Sequence, residues 1–174
     1  MTGKALLIFP VLCMLLHHPA SARAASGAAD FPFKEGRARF SIHFGGGTAF
    51  HGNYSIFGIG GGYFVADGVE VGLDAETWFG TSPSISQVGP QMRIVLNTAG
   101  PIKPYAGAFY RRTFILGYRD TYTVGARAGA FFSVGTNAYF GAGVAHYLHL
   151  NCDRTVYSSC SETYPEVLVS IIFR

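Results

Sequence analysis

The sequence predicts an all-β fold, an eight-stranded antiparallel up-and-down transmembrane β-barrel preceded by a cleavable signal peptide. Three observations carry that prediction. The chain is rich in glycine and aromatics, with 23 Gly, 15 Phe and 10 Tyr, yet only 13% of it is charged. Beyond the N-terminal region no apolar run reaches the roughly 20 residues that a spanning helix requires. What remains is a series of segments of roughly 10 to 13 residues with period-2 alternation, the pattern of strands with one apolar and one polar face. A chain that crosses lipid without apolar helices must close its strands on themselves, because every backbone N–H and C=O needs a partner within the sheet.

The first element is the signal. Lys4 supplies a positive charge, residues 5–16 form an almost unbroken apolar run, and Ala22-Arg23-Ala24 fits a small-x-small cleavage site. Residues 1–24 are therefore read as the signal peptide, 25–36 as a periplasmic N-terminal segment and 37–174 as the barrel domain. Cleavage after Ala24 removes Lys4 and Arg23 and no acidic residue, so the formal charge falls from +3 to +1. Cys13 leaves with the signal. No clustered Lys/Arg footprint remains, so a nucleic-acid partner is not expected.

The strands are expected near 37–47, 53–64, 69–80, 87–97, 103–114, 121–133, 137–149 and 164–173. In the third, Val69, Val71, Leu73, Ala75, Thr77 and Phe79 oppose Glu70, Gly72, Asp74, Glu76 and Trp78. In the fourth, Val88, Met92, Ile94 and Leu96 oppose Gln87, Gly89, Gln91, Arg93 and Asn97. In the last, Val167, Val169, Ile171 and Phe173 oppose Glu166, Leu168, Ser170 and Ile172. The polar faces mix glycine with charge, as in Gly125, Arg127 and Gly129, which suits the tapering interior of a small barrel. The apolar faces carry Phe40, Phe44, Phe79, Tyr122, Phe132, Phe140 and Phe173, placed as interfacial girdles are. The connections near 66–68, 97–103 and 134–137 are short and rich in turn residues. Those near 46–53, 80–86, 115–120 and 150–163 are longer, an alternation that puts both termini on the periplasmic side.

The Gly-aromatic run Gly60-Gly61-Gly62-Tyr63-Phe64, the Pro104-Tyr105-Ala106-Gly107-Ala108 opening of the fifth strand and the closing Val167-Leu168-Val169-Ser170-Ile171-Ile172-Phe173 carry a resemblance. Through them the mature chain resembles the eight-stranded outer-membrane barrels of the OmpA and OmpX type. Such families close on a terminal aromatic that the assembly machinery reads; here Arg174 follows Phe173. The resemblance implies location in the bacterial outer membrane, and an architecture without an activity.

The candidate chemistry lies inside. Glu70, Asp74 and Glu76 share the inward face of one strand, and Arg39, Arg93, Arg127 and Glu166 point inward from others. These seven are expected to form a lumen ion-pair network, since an unpaired buried charge costs several kcal/mol. Arg93 lies on the strand beside the carboxylates. Glu166 is expected near Arg37 and Arg39, because the last strand must neighbour the first. Ser41 and His43 share a face, but residues two apart on a strand are about 6.6 Å apart along it, too far for a nucleophile and its base. His146 and His149 are three apart and face opposite ways, which disfavours a shared metal. No catalytic residue, metal or cofactor is expected.

Cys152 and Cys160 lie in the longest loop, and an exported protein meets oxidising conditions, so a disulfide is expected. Tyr118, Arg119, Asp120 and the loop from Asn151 to Thr163 are the candidate contact residues for an extracellular ligand or surface partner. The functional expectation is a monomeric outer-membrane protein, surrounded by outer-membrane lipid, with a structural or surface-interaction role. The alternatives are a barrel hydrolase acting on lipid A and a narrow channel.

Overall fold

A computed structural model describes residues 31–150, 152, 157 and 159–174. The expected signal peptide, residues 1–24, lies outside them. Eight strands follow in chain order: β1 (Ala38–Ala49), β2 (Gly52–Ala66), β3 (Val69–Phe79), β4 (Ile85–Val95), β5 (Ile102–Ile115), β6 (Thr121–Ser133), β7 (Ala138–Leu150) and β8 (Ser161–Phe173). Each pairs antiparallel with the next, and β8 returns to β1, so the sheet is a closed barrel. At the closure Phe40 faces Ile171 and Ile42 faces Val169. The even count of strands leaves the start of β1 and the end of β8 at one rim, here the turn end. The other rim, the loop end, carries the connections after β1, β3, β5 and β7.

The alternation in the sequence becomes the two faces of the wall. Along β4 burial alternates residue by residue from Ile85 to Val95, with Gln87, Gln91 and Arg93 inside. Val88, Met92 and Ile94 are outside, each more than 40% exposed. The same holds on β8, where Val167, Val169, Ile171 and Phe173 face outward and Glu166 and Ser170 inward. The girdle candidates Phe40, Phe44, Phe79, Phe132, Phe140 and Phe173 all lie on the exposed face.

One expected loop is absent. The connection placed near 46–53 is a two-residue turn, Phe50-His51, with both residues in the left-handed region at φ 48° and 58°. Such φ values at both central positions match the twist of a tight hairpin. The glycines that suggested a loop are paired strand: Gly45 faces Ile56, Gly46 faces Ser55 and Gly47 faces Tyr54. Glycine is needed there for close approach, because a Cβ on Gly47 would lie 2.7 Å from the Trp78 ring. Other boundaries differ by up to three residues; β1 and β2 each end two residues later than expected, at Ala49 and Ala66. β4 runs 85–95, two residues earlier than expected, and β8 starts at Ser161, three earlier.

Closure is uneven along its length. The β1–β8 ladder stops at Gly45 facing Glu166, although β1 stays paired with β2 to Ala49 and β8 with β7 to Ser161. Beyond that point side chains bridge the seam. Thr48 Oγ1 meets Glu162 Oε1 at 2.9 Å, and the Thr48 N–H donates to Tyr164 Oη at 3.3 Å.

The lumen is filled in three layers. At the turn end the chain stoppers its own barrel. Gly68 N donates to Phe33 O at 2.7 Å, Gly36 N to Phe64 O at 2.9 Å and Phe64 N to Arg37 O at 2.9 Å. These bonds seat Phe33, fully buried, against Phe64, Phe131 and Tyr139 with ring centroids 5.7, 5.3 and 5.0 Å away. At the loop end Tyr54, Ile56, Trp78, Phe109, Tyr147 and Tyr164 form a second apolar layer. The charged residues lie between the two.

Candidate functional site: a buried ion-pair layer

Six strands supply the middle layer, each through its inward positions. Arg39 and His43 come from β1, Glu70, Asp74 and Glu76 from β3, Arg93 from β4, Arg111 from β5, Arg127 from β6 and Glu166 from β8. None is more than 5% exposed. β2 contributes space instead of charge: a Cβ on Gly62 would overlap the Glu70 carboxylate.

Arg39 grips Glu70 through two parallel bonds of 2.8 Å, Nε to Oε2 and Nη2 to Oε1, and reaches Ser170 Oγ at 3.1 Å. Arg93 stands 3.7 Å from the same carboxylate and donates to Gln91 Oε1 at 3.3 Å, its guanidinium 5.1 Å from the centre of the Tyr105 ring. Arg111 is the hub. It meets Asp74 Oδ2 at 2.6 Å, Glu76 Oε1 at 2.7 Å and Tyr147 Oη at 2.9 Å. Arg127 adds a bond to Asp74 Oδ2 at 2.9 Å and lies 3.5 Å from Glu166 Oε2. His43 Nε2 sits 2.8 Å from Glu76 Oε1, and Tyr147 Oη donates to the same carboxylate at 3.3 Å. Among the described residues the layer thus holds four guanidiniums against four carboxylates. That balance is what burial demands, since isolated charges in a low-dielectric interior are costly and paired ones are compensated.

All seven residues expected in the lumen network lie in this layer, but one pairing differs. Glu166 faces Gly45 across the β1–β8 seam, whereas Arg39 faces Ile172. An antiparallel register therefore separates Glu166 from Arg39, and its partner is Arg127. Arg37 stays at the turn-end rim, where its Nη1 donates to Pro32 O at 3.1 Å. Two members were not anticipated, Arg111 and His43. Arg111 precedes Arg112, so local charge does not say which of the two points inward. The odd-numbered alternation Tyr105, Phe109, Arg111, Thr113 would have answered it.

Ser41 and His43 do not act as a pair. Ser41 Oγ donates to Gly60 O at 3.4 Å while His43 engages Glu76. His146 is exposed on the outer face and His149 is buried inside. His43, Asp74 and Glu76 do offer ligand atoms within 4.8 Å of one another. Arg111 and Arg127 already occupy those carboxylates, which makes the cluster an ion-pair assembly.

At the loop end Cys152 and Cys160 form a disulfide with Cα atoms 5.5 Å apart. Tyr157, within that ring, is buried and stacks on His149 at 3.8 Å and 11°. Burial pushes its phenol above the ordinary value. Tyr118, Arg119 and Asp120 sit in the β5–β6 connection and are exposed. The Tyr118 ring meets Phe50 of the β1–β2 turn at 4.9 Å, and Asp120 Oδ2 pairs with Arg112 Nη2 at 2.6 Å.

A closed eight-strand antiparallel barrel with a charged, filled interior and an apolar exterior can now be compared with solved structures. The N-terminal β-barrel domain of Pseudomonas aeruginosa OprF superimposes with a TM-score of 0.64 at 16% identity, over 80% of this chain and 98% of that one. Neisserial surface protein A gives 0.59 at 17%, over 78% and 94%. OprG from Pseudomonas aeruginosa gives 0.51 at 11%, over 83% and 100%. The fold is that of the eight-stranded outer-membrane barrels. No protein-family model and no curated protein matches the chain. Likeness at this level of identity carries architecture and no activity.

Proposed function

We propose that this chain is an outer-membrane barrel protein whose sealed body anchors loops displayed outside the cell, in a structural or surface-interaction role. The observation that supports it best is the inversion of faces. Phe40, Leu73, Met92 and Val169 lie exposed on the outer wall, while Arg39, Glu70, Arg111 and Arg127 are buried within. That distribution suits a wall surrounded by lipid. In this reading the signal peptide directs export and the turn end, with residues 25–36, faces the periplasm. The loop end presents Tyr118, Arg119, Asp120 and the disulfide-closed segment outward.

The channel alternative is disfavoured by the three filled layers. The hydrolase alternative is disfavoured because Ser41 and His43 have separate partners. The test is fractionation with outer membranes, heat-modifiable gel migration and conductance in planar bilayers. The expected result is a heat-modifiable outer-membrane species without steady conductance. Steady, ion-selective conductance by the parent protein would overturn the sealed-barrel reading.

A further inference from the structure

The outer wall is not uniform. On β5 and β6 the outward side chains Ala106, Ala108, Ala126 and Ala128 are small, and they sit side by side across the pairing. On β2 to β5 the wall is furrowed. Two depressions of about 360 and 310 Å³ adjoin there, sharing Ile59, Ala75 and Val88. Small side chains, Ala75, Thr77 and Ser86, leave the floor low, and Phe57, Leu73 and Phe114 stand as walls.

A cation stands beside this furrow, next to two of its lining residues, Val88 and Phe114. Register places Ile59 beside Ala75, Ala75 beside Val88 and Val88 beside Arg112. Ile59 is at the middle of β2, whereas Arg112 is three residues from the loop end of β5, so the row climbs toward the loop rim. The Arg112 guanidinium lies 5.1 Å from the centre of the Phe114 ring, which lines the furrow. Its side chain is 52% exposed. Asp120 Oδ2 receives Nε at 3.0 Å and Nη2 at 2.6 Å, which orients the fork and leaves Nη1 outside that pair.

We propose that the furrow is a lipid-binding site taking the acyl chains of a phosphorylated lipid, with Arg112 receiving the phosphate, and that this lipid is lipid A of the outer leaflet. The proposal rests on the reading that the outer wall faces the membrane with its loop end outward. An acyl chain packs in an apolar furrow by shape alone, because the lipid tails it leaves are equally apolar. Selectivity comes from the Arg112 guanidinium beside it, since arginine presents several donors in a planar fork suited to phosphate oxygens. Two adjoining depressions also favour a lipid with several chains over one with two.

The test is native mass spectrometry of the detergent-solubilised barrel with lipid A, phosphatidylglycerol or phosphate-free diacylglycerol. Lipid A should be retained in preference to both others. Arg112→Gln should lower its retention by about tenfold or more, the loss expected for a charge-assisted hydrogen bond. Ala75→Phe should fill the furrow and lower retention similarly, and Ala128→Phe, on β6 and outside the lining of both depressions, should leave it unchanged. Retention unaffected by Ala75→Phe, or diacylglycerol held as well as lipid A, overturns the site. Phosphatidylglycerol held equally well overturns the choice of lipid A. Insertion into vesicles, read by heat-modifiable migration, is scored separately. Failure to insert defeats the membrane reading, whereas insertion without selective retention defeats only the lipid site.

Discussion

The two mouths of the lumen are closed by different means. At the turn end a contiguous stretch of chain enters the barrel, and main-chain bonds from Gly36, Phe64 and Gly68 hold it while Phe33 fills the space. At the loop end closure is assembled from side chains of separate connections and of the strand ends beneath them. Tyr157 stacks on His149, Phe50 meets Tyr118, and a disulfide ties Cys152 to Cys160. The β1–β8 ladder also stops short of that rim. The turn end therefore behaves as part of the sheet, and the loop end as a lid built on it. Between them the ion-pair layer depends on both closures to keep water out, because paired charges are worth most where the dielectric is low.

The most severe test is at the layer both mouths protect. Arg111→Met should leave Asp74 and Glu76 short of a partner and cost about 3–5 kcal/mol. The measurement is the urea midpoint of the heat-modifiable form. A loss near zero would mean that water already reaches the layer and that at least one mouth is not sealed. Next comes the turn end, where Phe33→Ala removes a fully buried ring and should cost about 3 kcal/mol.

Removing the disulfide by replacing Cys152 and Cys160 with serine should cost about 2 kcal/mol in the chain-entropy view of a short closed loop. The two ends can then be told apart by Trp78, the single tryptophan, which lies fully buried in the loop-end layer. Its fluorescence should change when the disulfide is removed and stay constant in Phe33→Ala. The reverse result would break the contrast between sheet-like and lid-like closure.

A smaller effect is expected in alkali. Burial raises the Tyr157 phenol in the folded state, so the unfolded chain loses that proton first. The stability tied to the neutral phenol is then complete below about pH 10 and declines as the pH rises through the folded value. Tyr157→Phe should abolish that part of the decline in alkaline unfolding curves. The least effect is expected outside the lumen. Asp120→Ala, at the exposed pair with Arg112, should leave thermal stability unchanged within error.

Much of the site was legible because alternation is a local property. Val69 to Phe79 reads as one apolar and one acidic face, and that alone points Glu70, Asp74 and Glu76 inward. The ambiguous places were those where two local signals coincided. Gly45-Gly46-Gly47 reads as a loop by composition and is strand by pairing. Arg111-Arg112 carries the same charge on both faces, and only the strand's parity separates the hub of the lumen from a residue of the outer wall. Phe33 precedes the first alternating segment, so nothing in its surroundings in the chain marks it as a stopper.

What the sequence by itself determined was the number of strands, the face each side chain takes and the need for closure. Period-2 patterning and the bonding demands of a chain in lipid specify all three. What only the tertiary structure decided was which inward residues meet. Arg39 reaches Glu70 past β2, Arg111 reaches Asp74 and Glu76 past β4, and Arg127 reaches Asp74 from the far side of the lumen. Such contacts depend on the stagger with which the closed sheet brings distant strands level. Alternation tells a residue which side of the wall it is on, but not at what height it will find its partner across the barrel.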